Sequence, residues 1–104
     1  MTEPRQWFAL LHTAGPAVEA GQRVFEHPGI GEHIAFLRQL AADGVLVAAG
    51  PLTDADGDGL TVIEAESLEH ARRLAEQQDA SVRAGVLAVT VRPWQVRMAP
   101  ILDR

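Results

Sequence analysis

GEHIAFLRQLAADGVLVAAGPLTDADGDGLTVIEAE, residues 31–66, changes its apolar period partway along, and that change decides the fold. Up to Asp43 the apolar residues Ile34, Phe36, Leu37, Leu40 and Ala41 recur at helical spacing, and Gly44 supplies the stop, which predicts a helix from about Gly31 to Asp43. Val45–Gly50 is a compact apolar run, Pro51 begins a turn, and Asp54-Ala55-Asp56-Gly57-Asp58-Gly59 leads into a second run, Leu60–Glu66. The two runs read as a hairpin. On the N-terminal side, Trp7–Thr13 is short, apolar and followed by Ala14-Gly15-Pro16, which suits a strand. Ala14 to Gly31 is a long loop broken by glycine and proline, of the kind that often covers a site. On the C-terminal side, Ser67 is placed as an N-cap before the stripe Leu68, Ala71, Leu74 and Ala75, a helix ending near Gln78. Val86–Val91 is the last strand, closed by Arg92-Pro93-Trp94, and the tail from Gln95 offers a brief extra strand. The resulting order, βαββαβ, gives an α+β, ferredoxin-like plan: a four-stranded antiparallel sheet with both helices on one face.

Within the last strand Leu87, Val89 and Val91 point one way and Val86, Ala88 and Thr90 the other, so both sheet faces are expected to be apolar. A monomer would leave one of them wet. The expected cover is a second copy of the chain, a homodimer with two sheets facing. The alternative is that the loop after the first strand, or the tail around Met98 and Ile101, folds over that face.

Composition narrows the chemistry. A chain of 104 residues, 47% hydrophobic and 22% charged, is expected to fold as one domain over residues 1–104. With no cysteine there is no disulfide, thiolate nucleophile or thiolate zinc site. All nine basic residues are arginine, so there is no Schiff-base lysine and no phosphate-loop lysine. The net charge is -5 and the arginines are scattered, which argues against nucleic acid as a partner. The N-terminal Met1-Thr2-Glu3-Pro4-Arg5 does not open a signal peptide, and no apolar run is long enough to span a bilayer. A cytoplasmic protein without a membrane partner is expected.

Four histidines remain as candidates for proton exchange near neutral pH. His33 falls on the helix stripe that packs toward the sheet, between Leu40 and Leu37 in angular position. On spacing alone the commoner outcome is a partly buried histidine satisfied by a backbone carbonyl. His12 lies on the first strand, facing with Phe8 and Leu10. His27 is in the long loop, and His70 opens the second helix on its solvated side. No two histidines have ligand spacing on one helix, so no metal is expected. Asp79 follows the second helix, where it either caps a short helical turn or orients an imidazole.

Asp54, Asp56, Asp58 and Gly59 match the opening of a calcium loop, but its twelfth position, which needs a bidentate glutamate, is Ala65. A hairpin turn is expected there. The only serines, Ser67 and Ser81, are not in a nucleophile-elbow context. Glu64 and Glu66 alternate along a strand as solvated acids do.

HIAFLRQLAADGVLVAAGPL, which opens at His33, together with GLTVIEAES and QDASVRAGVLAVTVRPW, resembles the YCII-related (YciI-like) family from Trp7 to Trp94. The resemblance implies a dimeric α+β barrel of ferredoxin-like subunits and a His-Asp active-site pair, carried here by His33 and Asp79. It thereby favours a pocket role for His33. The chain departs from the family pattern at Ile30, where arginine is frequent, at Leu60, where serine is, and at Ala80, where proline is. No anion-binding role is carried over onto those positions.

Two functional readings follow. The first is a cofactor-independent isomerase or lyase that moves a proton on a small, oxygenated, cyclic metabolite. In it His33 is the general acid/base and Asp79 orients it. His12, Phe36, Leu40 and Trp94, with the loop from Phe25 to Gly29, form the substrate-binding wall. The second is a non-catalytic protein that binds a small molecule or supports a partner through the same pocket. A haem or flavin protein of the wider barrel superfamily is a third, which an absorption spectrum tests.

Overall fold

In a computed structural model residues 5–103 are described, so Met1 to Pro4, read above as lacking a leader signature, lie outside the described residues. The main elements are β1 (Arg5–Ala14), α1 (Ile30–Ala42), β2 (Leu46–Pro51), β3 (Gly59–Glu64), α2 (Leu68–Arg73), α3 (Ala80–Arg83) and β4 (Leu87–Val96). The strands form one antiparallel sheet in the order β2-β3-β1-β4, the ferredoxin-like topology the apolar periods imply. No helix among the described residues is long and apolar enough to cross a membrane.

The core lies between the sheet and the helices. Phe8 and Leu10 of β1, Ile63 of β3 and Val91 of β4 pack against Phe36 and Leu40 of α1 and against Ala71 and Ala75 of the second helical segment. Phe8, Leu10 and Ile63 are fully buried, and burial of each contributes about 1.5–3 kcal/mol. Small residues at 71 and 75 let that segment lie close over the strands. Register alternation sets the composition of each face: Phe8 is opposite Ile63 and Leu10 opposite both Thr61 and Val91, all on the helix side.

Several boundaries differ from the sequence expectation. β4 does not close at Arg92-Pro93-Trp94 but continues to Val96, pairing Trp94 with Trp7. Pro93 is tolerated because β4 is an edge strand. The tail is not an extra strand; it forms a 3-10 turn at Pro100–Asp103. β3 stops at Glu64 rather than Glu66. Val86 is buried but precedes β4, so the second face of that strand carries Ala88, Thr90, Arg92 and Trp94 and is more polar than expected. Ile34, assigned to the packing stripe of α1, is exposed.

The second helix also differs. After α2 the chain widens into a π turn at Leu74–Gln78, breaks at Asp79 and restarts as α3. Asp79 is the N-cap of α3, its carboxylate accepting from the Ser81 N–H. Gly85 follows in the left-handed region at φ 78°, turning the chain back toward β4.

The sheet face away from the helices is centred on Trp7, Val62 and Val96, with Val47, Leu60 and Ala99 packed around them. Trp94 meets Trp7 edge-to-face at 5.8 Å and is half exposed. The tail reaches this face through Ala99, and Trp7, Val62 and Val96 are buried, whereas Met98 and Ile101 remain exposed.

Candidate functional site

Three elements deliver side chains to one point. The first turn of α1 carries His33, the break before α3 carries Asp79, and the helix-side face of β1 carries His12. His33 Nδ1 donates to Asp79 Oδ2 at 2.7 Å. Asp79 is wholly buried, and His33 keeps 15% of its side chain exposed. The other carboxylate oxygen, Oδ1, accepts from the Ser81 N–H at 3.0 Å and from the Ser81 hydroxyl at 2.6 Å. Burial pushes the Asp79 carboxyl up, but the hydrogen bonds from His33 and Ser81 outweigh it and hold the group below its usual value. Asp79 is thus an ionised acceptor that fixes the His33 tautomer with its proton on Nδ1. Nε2 is left as the site for proton exchange.

His12 is the third member. Its ring meets that of His33 at 4.7 Å between centroids, inclined by 63°. It is 3% exposed, and neither ring nitrogen makes a hydrogen bond of good geometry among the described residues, the Leu10 backbone being the weakest of the influences on the ring. Burial, reinforced by the proximity of His33, lowers its pKa to about 4, so His12 is neutral at neutral pH. One nitrogen each from His12 and His33 and one oxygen of Asp79 lie within 4.8 Å of one another. This clustering was invisible to a search for ligand spacing along one helix, because the three groups come from distant segments.

These histidines open on a pocket of about 270 Å³. Phe25, Ile30, Ile34, Leu37 and Leu87 provide apolar wall, and His12, His33 and Thr61 are among its polar lining. The outer wall is the loop after β1, fastened by the Val24 N–H donating to Asp56 Oδ2 at 2.7 Å. Asp56 belongs to the acidic turn that resembles a calcium loop, and this bond gives it a structural task. Gly57, at φ 86°, fits beneath Val24, where a Cβ would come to 2.7 Å from Val24 Cγ2.

The expected site residues therefore separate. His33, Asp79 and His12 come together. Phe36 and Leu40 belong to the buried core; the Phe36 ring lies 6.3 Å from that of His33. Trp94 stands on the opposite face of the sheet, beside Trp7. Sequence reasoning missed Ile30, Ile34, Leu37, Thr61 and Leu87 as lining residues and Ser81 as the anchor of Asp79. An Asp-x-Ser segment at a helix start is a signal for that last contact. His27 accepts from the Gly29 N–H at 2.9 Å within the loop, and His70 lies near the start of α2.

Comparison with known proteins adds three findings. The YCII-related domain profile matches residues 7–95. The chain is 36% identical over 73 residues to an uncharacterised protein, YjpA, of Bacillus subtilis (strain 168), covering 70% of this chain and 84% of that one. Its fold is similar to that of 5-chloro-2-hydroxyhydroquinone dehydrochlorinase (TftG) from Burkholderia phenoliruptrix AC1100, solved in complex with 2,5-dihydroxybenzoquinone. The TM-score is 0.66 at 21% identity, covering 88% of this chain and 95% of that one.

Proposed function

The chain belongs to the YCII-related domain family, and from that premise we propose that it is a single-domain, cytoplasmic enzyme that moves a proton on a small, oxygenated, cyclic metabolite without a cofactor. The reaction is of isomerase or lyase type. The observation that carries the reading is the 2.7 Å hydrogen bond from His33 Nδ1 to a buried carboxylate at the mouth of an apolar pocket. In this mechanism Nε2 of His33 takes a proton from the substrate and returns it to another atom or to the leaving group. Asp79 keeps the ring oriented and stabilises the imidazolium that forms. The apolar wall limits water, which strengthens the charge interaction between His33 and Asp79 as the proton arrives. A dehydrochlorinase of similar fold that holds a dihydroxybenzoquinone supports a ring-shaped, oxygenated substrate.

The quaternary state proposed is a homodimer joined through the sheet faces turned away from the helices. Trp94 is half exposed on that face and Val47 and Leu60 are only partly buried, which leaves apolar surface for a second copy to cover.

The test is turnover of hydroxylated and carbonyl-bearing ring compounds by the wild-type chain and by His33→Ala. Loss of the imidazole is expected to slow turnover by about a hundredfold or more. Ligand binding without turnover in the wild type would instead assign the protein a non-catalytic binding role.

A further inference from the structure

Buried polar groups in folded proteins almost always have partners, and leaving one without a partner costs about 1–3 kcal/mol. His12 is an exception in this chain. It is 3% exposed, neither of its ring nitrogens makes a hydrogen bond of good geometry among the described residues, and it lines the pocket next to His33. A phenylalanine or leucine would pack against Phe8 and Leu10 without that cost, so the imidazole is explained best by something that enters the pocket. A nitrogen of His12 lies within 4.8 Å of a nitrogen of His33. With the ring centroids 4.7 Å apart on one pocket wall, and the Nδ1 of His33 held by Asp79, a single ligand oxygen has both imidazoles within its reach.

We propose that His12 is the specificity-determining residue of this pocket, and that one hydroxyl or carbonyl oxygen of an uncharged, ring-sized ligand bridges His12 and His33. The proposal rests on the pocket reading above and adds what selects the ligand. Neutral imidazole offers one N–H donor and one acceptor nitrogen, so it meets either a carbonyl or a hydroxyl. Its burial keeps it in that neutral form around pH 7. Among the described residues none that lines the pocket is an arginine or an acid, so a carboxylate or phosphate on the ligand would enter without a paired cation. The pocket volume of about 270 Å³ suits one substituted ring and is too small for a nucleotide or an acyl carrier.

The experiment uses the full chain and a matched pair of probes, phenol and toluene, which differ by a hydroxyl in place of a methyl group. Affinities are read by NMR titration for the wild type and for His12→Phe. The phenol-to-toluene affinity ratio is expected to fall about tenfold in the variant, with toluene binding retained. In the wild type, phenol should shift a ring-nitrogen resonance of His12 and toluene should not, a readout independent of whether the variant folds. 4-Hydroxybenzoate should bind more weakly than phenol. An unchanged ratio in His12→Phe, or His12 nitrogens that do not respond to phenol, would overturn the proposal. Because the readout is equilibrium binding, it is separate from the fate of the acid/base reading, which fails only if turnover survives His33→Ala or never occurs.

Discussion

Acidification from about pH 7 to about pH 5 is expected to weaken the fold through His12. In the unfolded chain this residue titrates near 6.5, whereas burial and the adjacent His33 lower it to about 4 in the folded protein. Between those values the unfolded chain binds a proton that the folded chain refuses, so stability falls as pH falls through the window and rises as pH is restored. The gap limits the effect to about 3 kcal/mol, and about 2 kcal/mol of it is developed by pH 5. Asp79 does not contribute in this window. Its depressed carboxyl stabilises the fold above the ordinary value of 3.8 and gives that up only at lower pH. The assay is urea denaturation of the wild type and of His12→Phe at pH about 7 and about 5. Removing the titrating ring should spare the variant about 2 kcal/mol of the loss suffered by the wild type. Equal losses in the two proteins, within about 0.5 kcal/mol, would refute the reasoning, because His12 would then protonate as readily folded as unfolded.

Two further outcomes follow from the same geometry. Asp79→Asn keeps the shape of the side chain but places an amide where the His33 Nδ1 proton needs an acceptor. It should cost about 2 kcal/mol in urea denaturation at neutral pH, a difference that shrinks below pH 3.8 as the wild-type carboxyl is itself protonated. On the sheet face away from the helices, Trp94→Arg places a charge among the apolar side chains, and sedimentation is expected to give a dimer for the wild type and a monomer for the variant.

Much of the architecture was legible because the apolar period changes sharply between α1 and the hairpin. Gly44 and Ser67 mark real helix boundaries, and Asp79 caps a helical turn as its position suggests. The extent of β4 was not legible. Proline reads as a terminator, and only the edge position of the strand, a property of the assembled sheet, explains why pairing continues past Pro93. That continuation carries Trp94 into register with Trp7 on the far face of the sheet, away from the pocket. The contact between His33 and Asp79 is one of the two roles that the position of Asp79 offers, and the family resemblance favours it; spacing alone left a carbonyl partner as the commoner outcome for His33. The approach of His12 to His33 joins β1 to α1 across the intervening loop, and no local pattern encodes it. The task of Asp56 was masked by its neighbours, since an acidic turn reads as solvated or metal-binding until the Val24 amide is seen against it.

The most direct test of the central claim is a crystal structure of the protein soaked with small hydroxylated and carbonyl-bearing ring compounds. The account predicts ligand density in the pocket, with an oxygen or an exchangeable carbon facing His33 Nε2 while Nδ1 still donates to Asp79. A pocket empty in every soak, or a His33 ring turned away from Asp79 when a ligand is bound, would contradict it.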